Sequence, residues 1–373
     1  MADRAPSGRR RGDWLGELPF RTIVLHRTVG LFRNLAETVF PERATPAGLV
    51  GARDRLFEAL SAAASASRRR FAPLEGGWEA ACGGVPPAEA PFLSGIPVPA
   101  DPKAARWTEA AFADIGRGAI TAIVNAEDHL ALFDRSGAPF ARQWRTLETF
   151  AAAVGAAAPF AESEEYGFLS ANPDHVGTGL VLSCDVCLLG LCIDRTLDQA
   201  LNALDRLGFS TPAVLPHGEG EENPIEAPGC RYRILSIHDT GEARDVVGRM
   251  DAVCREVARQ EQNARLRLLA KGSADLADFL ARSLATGAHA RVLPPSEAAD
   301  LADAALFAED LGLLRLDDAR RAFLQTAPYA LSDARLPAAA PKAVKAAGGD
   351  LRAVRAAAFR EVFRPLPAKL RLR

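Results

Sequence analysis

The sequence predicts an α+β fold in two parts, a mixed region over residues 13–261 and an all-helical region over 262–373. Three observations point to it. The chain has 373 residues, more than one hydrophobic core usually organises. Short apolar and β-branched runs alternate with helical patterns through the first two thirds. Beyond about residue 262 the pattern is almost wholly helical, interrupted by Pro294-Pro295 and by a proline-bounded break at 337–341.

The elements follow in chain order. Residues 1–12 are small, polar and basic, with Pro6 and Gly8, and read as a flexible tail. Residues 22–25 are apolar and β-branched, the signature of a strand, and the Ala-rich stretch 56–67 reads as a helix. Glycine and proline crowd 73–102, which predicts loop. A second strand over 119–124 runs into Asn125-Ala126-Glu127-Asp128-His129-Leu130. Residues 144–158 are helical. Within 168–191 a turn of small residues, Gly177-Thr178-Gly179, leads into a largely apolar run that suits a buried strand. Residues 196–207 form an amphipathic helix. Glycine, proline and glutamate (Glu219, Glu221, Glu222, Glu226) make 217–229 a solvated loop, and 231–238 alternates as a strand does. A long helix spans 242–270, with Val246, Val247, Met250, Val253 and Val257 on one face. Glu297 follows Pro294-Pro295-Ser296 at a helix start, and 351–363 is a final helix.

Composition narrows the function classes. Apolar residues make up 48% and charged residues 25%, the range of soluble globular chains. Lys plus Arg number 45 against 47 Asp plus Glu, so no whole-protein field draws nucleic acid or an anionic membrane. No apolar segment follows Arg9-Arg10-Arg11 as a secretory leader would require, and none is long enough to span a bilayer. The expectation is a cytoplasmic protein with reduced thiols and no nucleic-acid or membrane partner. Cys184-Asp185-Val186-Cys187 has a metal or redox spacing, but no second ligand pair accompanies it, and the two cysteines fall on opposite faces of an apolar strand. They read as buried core thiols, and no metal site is expected.

Four stretches, in order, carry a shared pattern. The first is 23–41, with Val24, Arg27, Arg33-Asn34-Leu35 and Phe40-Pro41. The second is Asn125-Ala126-Glu127-Asp128-His129-Leu130, similar to Asn-Glu-Glu-Asp-His-Leu-Arg. The third and most specific is Tyr166-Gly167-Phe168-Leu169-Ser170-Ala171-Asn172-Pro173-Asp174-His175-Val176-Gly177-Thr178-Gly179-Leu180. The fourth lies in the helical region: Ala288-His289-Ala290-Arg291, Ser296-Glu297-Ala298, Asp310-Leu311-Gly312-Leu313-Leu314 and Gln325-Thr326-Ala327-Pro328. Together they give a resemblance to the bacterial protein-arginine kinases of the phosphagen (ATP:guanidino) kinase family that spans about 14–360. It implies a glutamine-synthetase-like catalytic domain, a mostly antiparallel sheet flanked by helices, followed by an all-α C-terminal domain that mediates dimerisation.

It also implies roles. Phosphoryl transfer to a guanidinium needs fixed cations around an Mg-triphosphate and carboxylates that orient the attacking nitrogen and take its proton. Glu127 matches the family's catalytic glutamate, and Glu221 or Glu222 stands for a second glutamate on a mobile loop. Arg27, Arg33 and His129 are candidates for nucleotide binding. The departures are as informative. The family's phosphate-binding arginines are replaced at Ala131 and Val181, and near Val214 and Leu215; the reactive-cysteine position is Asn172. Each lost guanidinium removes a contact worth about 1.5–3 kcal/mol. Leu351-Arg352-Ala353-Val354-Arg355-Ala356 resembles a phosphoarginine receptor motif, Arg-Asp-x-x-Arg-Ala, whose opening Arg-Asp is replaced and whose remnant is Arg355 with Ala356.

Two readings therefore stand. One is a catalytically impaired pseudokinase with a regulatory or binding role, as a homodimer or a heterodimer with an active paralogue, or with protein quality-control partners. The other is an active ATP-dependent protein-arginine kinase using Mg-ATP. For single residues the plainer readings also stand: Glu127 a local structural carboxylate, His129 a packed strand-end residue, and Gly177-Thr178-Gly179 a conformational requirement.

Overall fold

The computed structural model describes residues 20–64, 70–73, 111–115, 120–134, 136–214, 230–236, 241–272, 274–333 and 336–366. The expected tail at 1–12, most of the 73–102 loop, Cys82, and the 217–229 loop with Glu221 and Glu222 lie outside them.

An eight-stranded antiparallel sheet carries the mixed region, in the order β2-β3-β4-β5-β1-β8-β10-β9. Its members are β1 (Val24–Arg33), β2 (Arg70–Pro73), β3 (Ala111–Ile115), β4 (Ile120–Val124), β5 (Leu130–Asp134), β8 (Leu180–Cys187), β9 (Phe209–Ser210) and β10 (Arg231–Ser236). A small hairpin joins β6 (Glu162–Ser163) to β7 (Gly167–Phe168). The antiparallel sheet flanked by helices is the fold class expected from the sequence.

One face of the sheet packs under helices. Helix α1 (Pro46–Ala63) starts at Thr45, whose hydroxyl accepts from Gly48 N, with Pro46 in the first turn where its missing N–H costs nothing. Helix α2 (Phe140–Ala157) packs on β1, β5 and α1. A short α3 (Leu189–Ile193) and an amphipathic α4 (Leu197–Arg206) follow β8. The long α5 (Ala243–Lys271) lies against α2, α3, β8 and β10. Val29, Leu31, Leu132, Leu182, Cys184, Val186 and Ile234 point into this core, with exposures of 2% or less.

Helices α6 (Ala274–His289), α7 (Pro295–Asp310), α8 (Asp318–Ala330), α9 (Leu336–Ala339), α10 (Pro341–Ala346) and α11 (Leu351–Phe363) complete the chain. Helix α5 runs unbroken through residue 262, where the pattern had placed the domain boundary. It stops at Gly272, whose positive φ of 55° gives a left-handed cap. Its buried residues extend to Leu268, so the helix serves both regions. Among the described residues no helix is long and apolar enough to cross a membrane.

Buried ion pairs fasten the two regions together. Arg231 on β10 holds Asp303 of α7 through two bonds, Nε to Oδ2 at 2.6 Å and Nη2 to Oδ1 at 2.5 Å. Glu261 of α5 accepts from Gly190 N and Leu191 N at 2.8 Å each and from Arg265 Nε at 2.7 Å. Arg265 Nη1 also donates to Asp310 Oδ2 and to the Thr22 hydroxyl, at 2.9 Å each. Charges this deep persist only where each oxygen finds a donor.

Candidate functional site

Strand alternation sorts the site residues. Gly30 faces Val181 on one side and Phe133 on the other, while Phe32 faces Ala131. Opposed residues of an antiparallel pair share a face. So Gly30, Phe32, Ala131, Phe133 and Val181 line one face, opposite the helix-packed core. This is the face on which the resemblance placed the phosphate-binding arginines now replaced at Ala131 and Val181.

That surface is aromatic. Phe32 meets Phe133 edge-on, ring centroids 5.7 Å apart, and lies flat on the imidazole of His175. Phe32, Phe133 and His175 are each buried. Gly30 is the residue that admits them: a Cβ there would come within 3.0 Å of the Phe133 ring and 3.3 Å of the Phe32 ring.

Behind the stack is a polar hub. Asp128, 1% exposed, accepts from Asn34 Nδ2 at 2.5 Å and from the Ser170 hydroxyl at 2.7 Å on Oδ1; its Oδ2 lies 3.0 Å from His175 Nδ1. Asn34 Oδ1 in turn accepts from His129 N at 2.9 Å. Asn125, at a φ of 55°, holds the β4–β5 turn by donating Nδ2 to Leu49 O at 2.8 Å. These contacts fix the turn that carries Glu127. Glu127 itself is exposed and makes no hydrogen bond or ion pair among the described residues.

The other sequence candidates are placed as follows. Arg27 shares the alternation of Val29 and Leu31, so it points into the helix-packed face, away from Ala131 and Val181. There it is 2% exposed, donates Nη2 to Gly137 O at 3.0 Å and lies over the Phe140 ring. Arg33 is buried beneath the Gly177-Thr178-Gly179 turn. Its Nη1 donates to Phe32 O at 2.7 Å and Thr178 O at 2.9 Å, and its guanidinium stacks 3.6 Å from the Phe168 centroid. Burial pushes its pKa down to about 10, so it stays charged at neutral pH.

His129 is completely buried. Leu35 N donates to its Nδ1 at 3.3 Å, which places the proton on Nε2, and burial pushes its pKa down to about 4. It offers no atom to a nucleotide and serves as the packed strand-end residue. Gly179 explains its turn: φ is +60°, and a Cβ would meet Arg33 Nη1 at 2.3 Å and Phe32 O at 2.4 Å. Asn172 caps a single 3₁₀ turn by accepting from Asp174 N at 3.0 Å.

Arg233 lies two residues beyond Arg231 on β10. It forms a two-pronged pair with Asp185, at 2.7 and 2.9 Å, and Arg231 is taken by Asp303. The face between Ala131 and Val181 therefore presents rings and small apolar side chains, and the four arginines on or beside its strands are engaged within the protein. The described part of this face does not fit a magnesium triphosphate, which needs cations on its oxygens. The Phe32–His175 stack and the Asp128 hub escaped the sequence reading because each joins residues far apart in the chain.

Arg355, expected as a receptor remnant, is 1% exposed in α11. Its Nε donates to Leu331 O at 2.8 Å and Nη1 to Leu293 O at 2.7 Å, and Nη2 pairs with Asp333. All three guanidinium nitrogens thus tie the helical region together, and the side chain is closed off from solvent.

The comparisons agree with this architecture. Residues 93–264 match the ATP:guanido phosphotransferase, C-terminal catalytic domain. The chain is 26% identical over 303 residues to the protein-arginine kinase of Halothermothrix orenii, covering 80% of this chain and 82% of that one. It is 26% identical over 317 residues to that of Moorella thermoacetica, covering 83% and 87%. Over a shorter stretch of 157 residues it is 31% identical to that of Halalkalibacterium halodurans, 42% of each chain. Among solved structures, the duplicated taurocyamine kinase from Schistosoma mansoni with bound transition-state-analogue components shares the fold. The TM-score is 0.51 and the identity 17%, over 74% of this chain and 38% of the duplicated one.

Proposed function

The chain belongs to the ATP:guanido phosphotransferase family, as a homologue of the protein-arginine kinases, and on that premise we propose that it is a pseudokinase that acts by binding. One observation carries the reading. Where the resemblance puts phosphate-binding arginines stand Ala131 and Val181, and the space between them is filled by the Phe32, Phe133 and His175 rings. A family whose chemistry is mostly positioning and charge neutralisation loses both when guanidinium is exchanged for ring. The retained fold and helical region suit a regulatory role in the cytoplasm. The partner is a second copy, an active arginine-kinase paralogue, or a protein quality-control component.

The alternative, an active protein-arginine kinase using Mg-ATP, is favoured by one feature: Glu127 stands exposed on a firmly held turn, without a partner among the described residues. Calorimetric titration of the full chain with Mg-ATP separates the two. The binding reading expects no heat at millimolar nucleotide and no labelled phosphoarginine on a protein substrate. Micromolar affinity, with transfer abolished by Glu127→Gln, would establish the kinase instead.

A further inference from the structure

Four of the five described cysteines meet in two pairs that neither reading uses. Cys184 on β8 meets Cys254 on α5 deep in the core, both 0% exposed. Cys192 on α3 is hydrogen-bonded through its thiol to Cys230, the residue immediately before β10. The second pair differs in access, because Cys192 is only partly buried whereas Cys230 is 6% exposed.

Two rigid elements hold that second pair together. Glu261 receives the Gly190 and Leu191 amides and fixes α3 at its start. Leu188 N donates to Cys230 O at 2.9 Å, and Cys192 N donates to Leu188 O at 3.0 Å. Cys192 therefore sits one helical turn along from the residue that pins the Cys230 backbone. Cys230 is held at a φ of 51°, a conformation rare outside glycine, and Arg231 beside it is anchored to Asp303. The five described cysteines are free thiols in this structure.

We propose that Cys192 and Cys230 are a modification site: a reversible disulfide that staples α3 to the start of β10 under oxidising conditions. The oxidant is a low-molecular-weight disulfide of the glutathione class. The Cys192 thiolate attacks one of its sulfurs, forming a mixed disulfide and releasing one small thiolate. Cys230 gives its proton to solvent and attacks the Cys192 sulfur, releasing the second. The protein loses two electrons and two protons, and the small disulfide becomes two thiols. Solvent reaches Cys192, which makes it the attacking thiol. The Cys192 contact and burial push the Cys230 thiol well above its ordinary value, so the second step is slow and speeds up at alkaline pH. The Cys184–Cys254 pair stays reduced because no solvent reaches either sulfur.

The test incubates the full-length chain with oxidised glutathione, blocks remaining thiols, and maps crosslinks by tandem mass spectrometry. A Cys192–Cys230 crosslink, reversed by dithiothreitol, accompanied by a raised Tm and absent from Cys192→Ser but present in Cys254→Ser, is the expected result. Fragmentation of the unsubstituted protein's crosslinked peptide assigns the bond even where a variant fails to fold. Alkylation of both thiols after oxidation, a glutathione adduct that persists on Cys192, or a crosslink to any other cysteine, Cys82 included, would overturn the proposal.

Discussion

The imidazole of His175 lies on the ring of Phe32, centroids 3.7 Å apart and planes within 16° of parallel, with its Nδ1 held by Asp128. One side chain thus joins the aromatic face to the polar hub beneath Glu127. It ties the filling of the cleft to the integrity of the turn that carries the family glutamate.

Restoring a guanidinium to this face is unequally tolerated at the two positions. Ala131 is 1% exposed and faces Phe32, so Ala131→Arg buries an unpaired charge and costs about 3–5 kcal/mol. Val181 is only partly buried, and Val181→Arg costs about 1 kcal/mol or less. Urea denaturation of the two variants measures the contrast; equal losses would mean that the two positions do not differ in their room for a guanidinium.

His129 makes stability depend on pH. Its folded pKa of about 4 lies below the ordinary 6.5, so the unfolded chain binds the proton first. Its contribution is fully present above about pH 6.5 and is lost as pH falls through 6.5 towards 4, by about 3 kcal/mol in all. His129→Asn keeps an acceptor near Leu35 N and does not titrate. Unfolding free energies of both proteins from pH 7 down to 4.5 should converge as the pH falls. Parallel curves would show that His129 is not the group responsible.

The Arg231–Asp303 pair is a buried fastener between the two regions. Arg231→Met leaves a buried carboxylate without its partner and costs about 3–5 kcal/mol, whereas Arg231→Met with Asp303→Leu recovers most of the loss. A double-mutant cycle in guanidinium chloride reads the coupling, and additive losses would contradict the pairing.

Arg355 anchors three chain segments. Replacing it by Met frees the Leu331 and Leu293 carbonyls and should cost about 2–4 kcal/mol. Amide exchange should then rise first around 331–333. Free phosphoarginine at millimolar concentration should leave the Tm of the unsubstituted protein unchanged; a rise would restore the receptor reading for this residue.

Much of this was legible in the chain itself. The strands at 120–124 and 231–236, the helices at 243–271 and 351–363, and the family motifs around Glu127 and 166–180 all rest on local periodicity and residue type. So did the absence of arginine at 131 and 181. Strand β1 was legible only in its first residues, because Arg27, Thr28 and Gly30 break the apolar pattern of a central strand. Those residues fit because Gly137 supplies a carbonyl to Arg27 and the Phe133 ring closes over Gly30. Which way each remaining arginine points was decided by partners contributed from elsewhere: Thr178 for Arg33, Asp303 for Arg231, Asp185 for Arg233, and Leu293 and Leu331 for Arg355. Sequence fixes which side chains exist and their local rhythm. A buried charge is directed by donors and acceptors tens to hundreds of residues away, so only the tertiary structure determines whether a guanidinium meets a ligand or a carbonyl of its own chain.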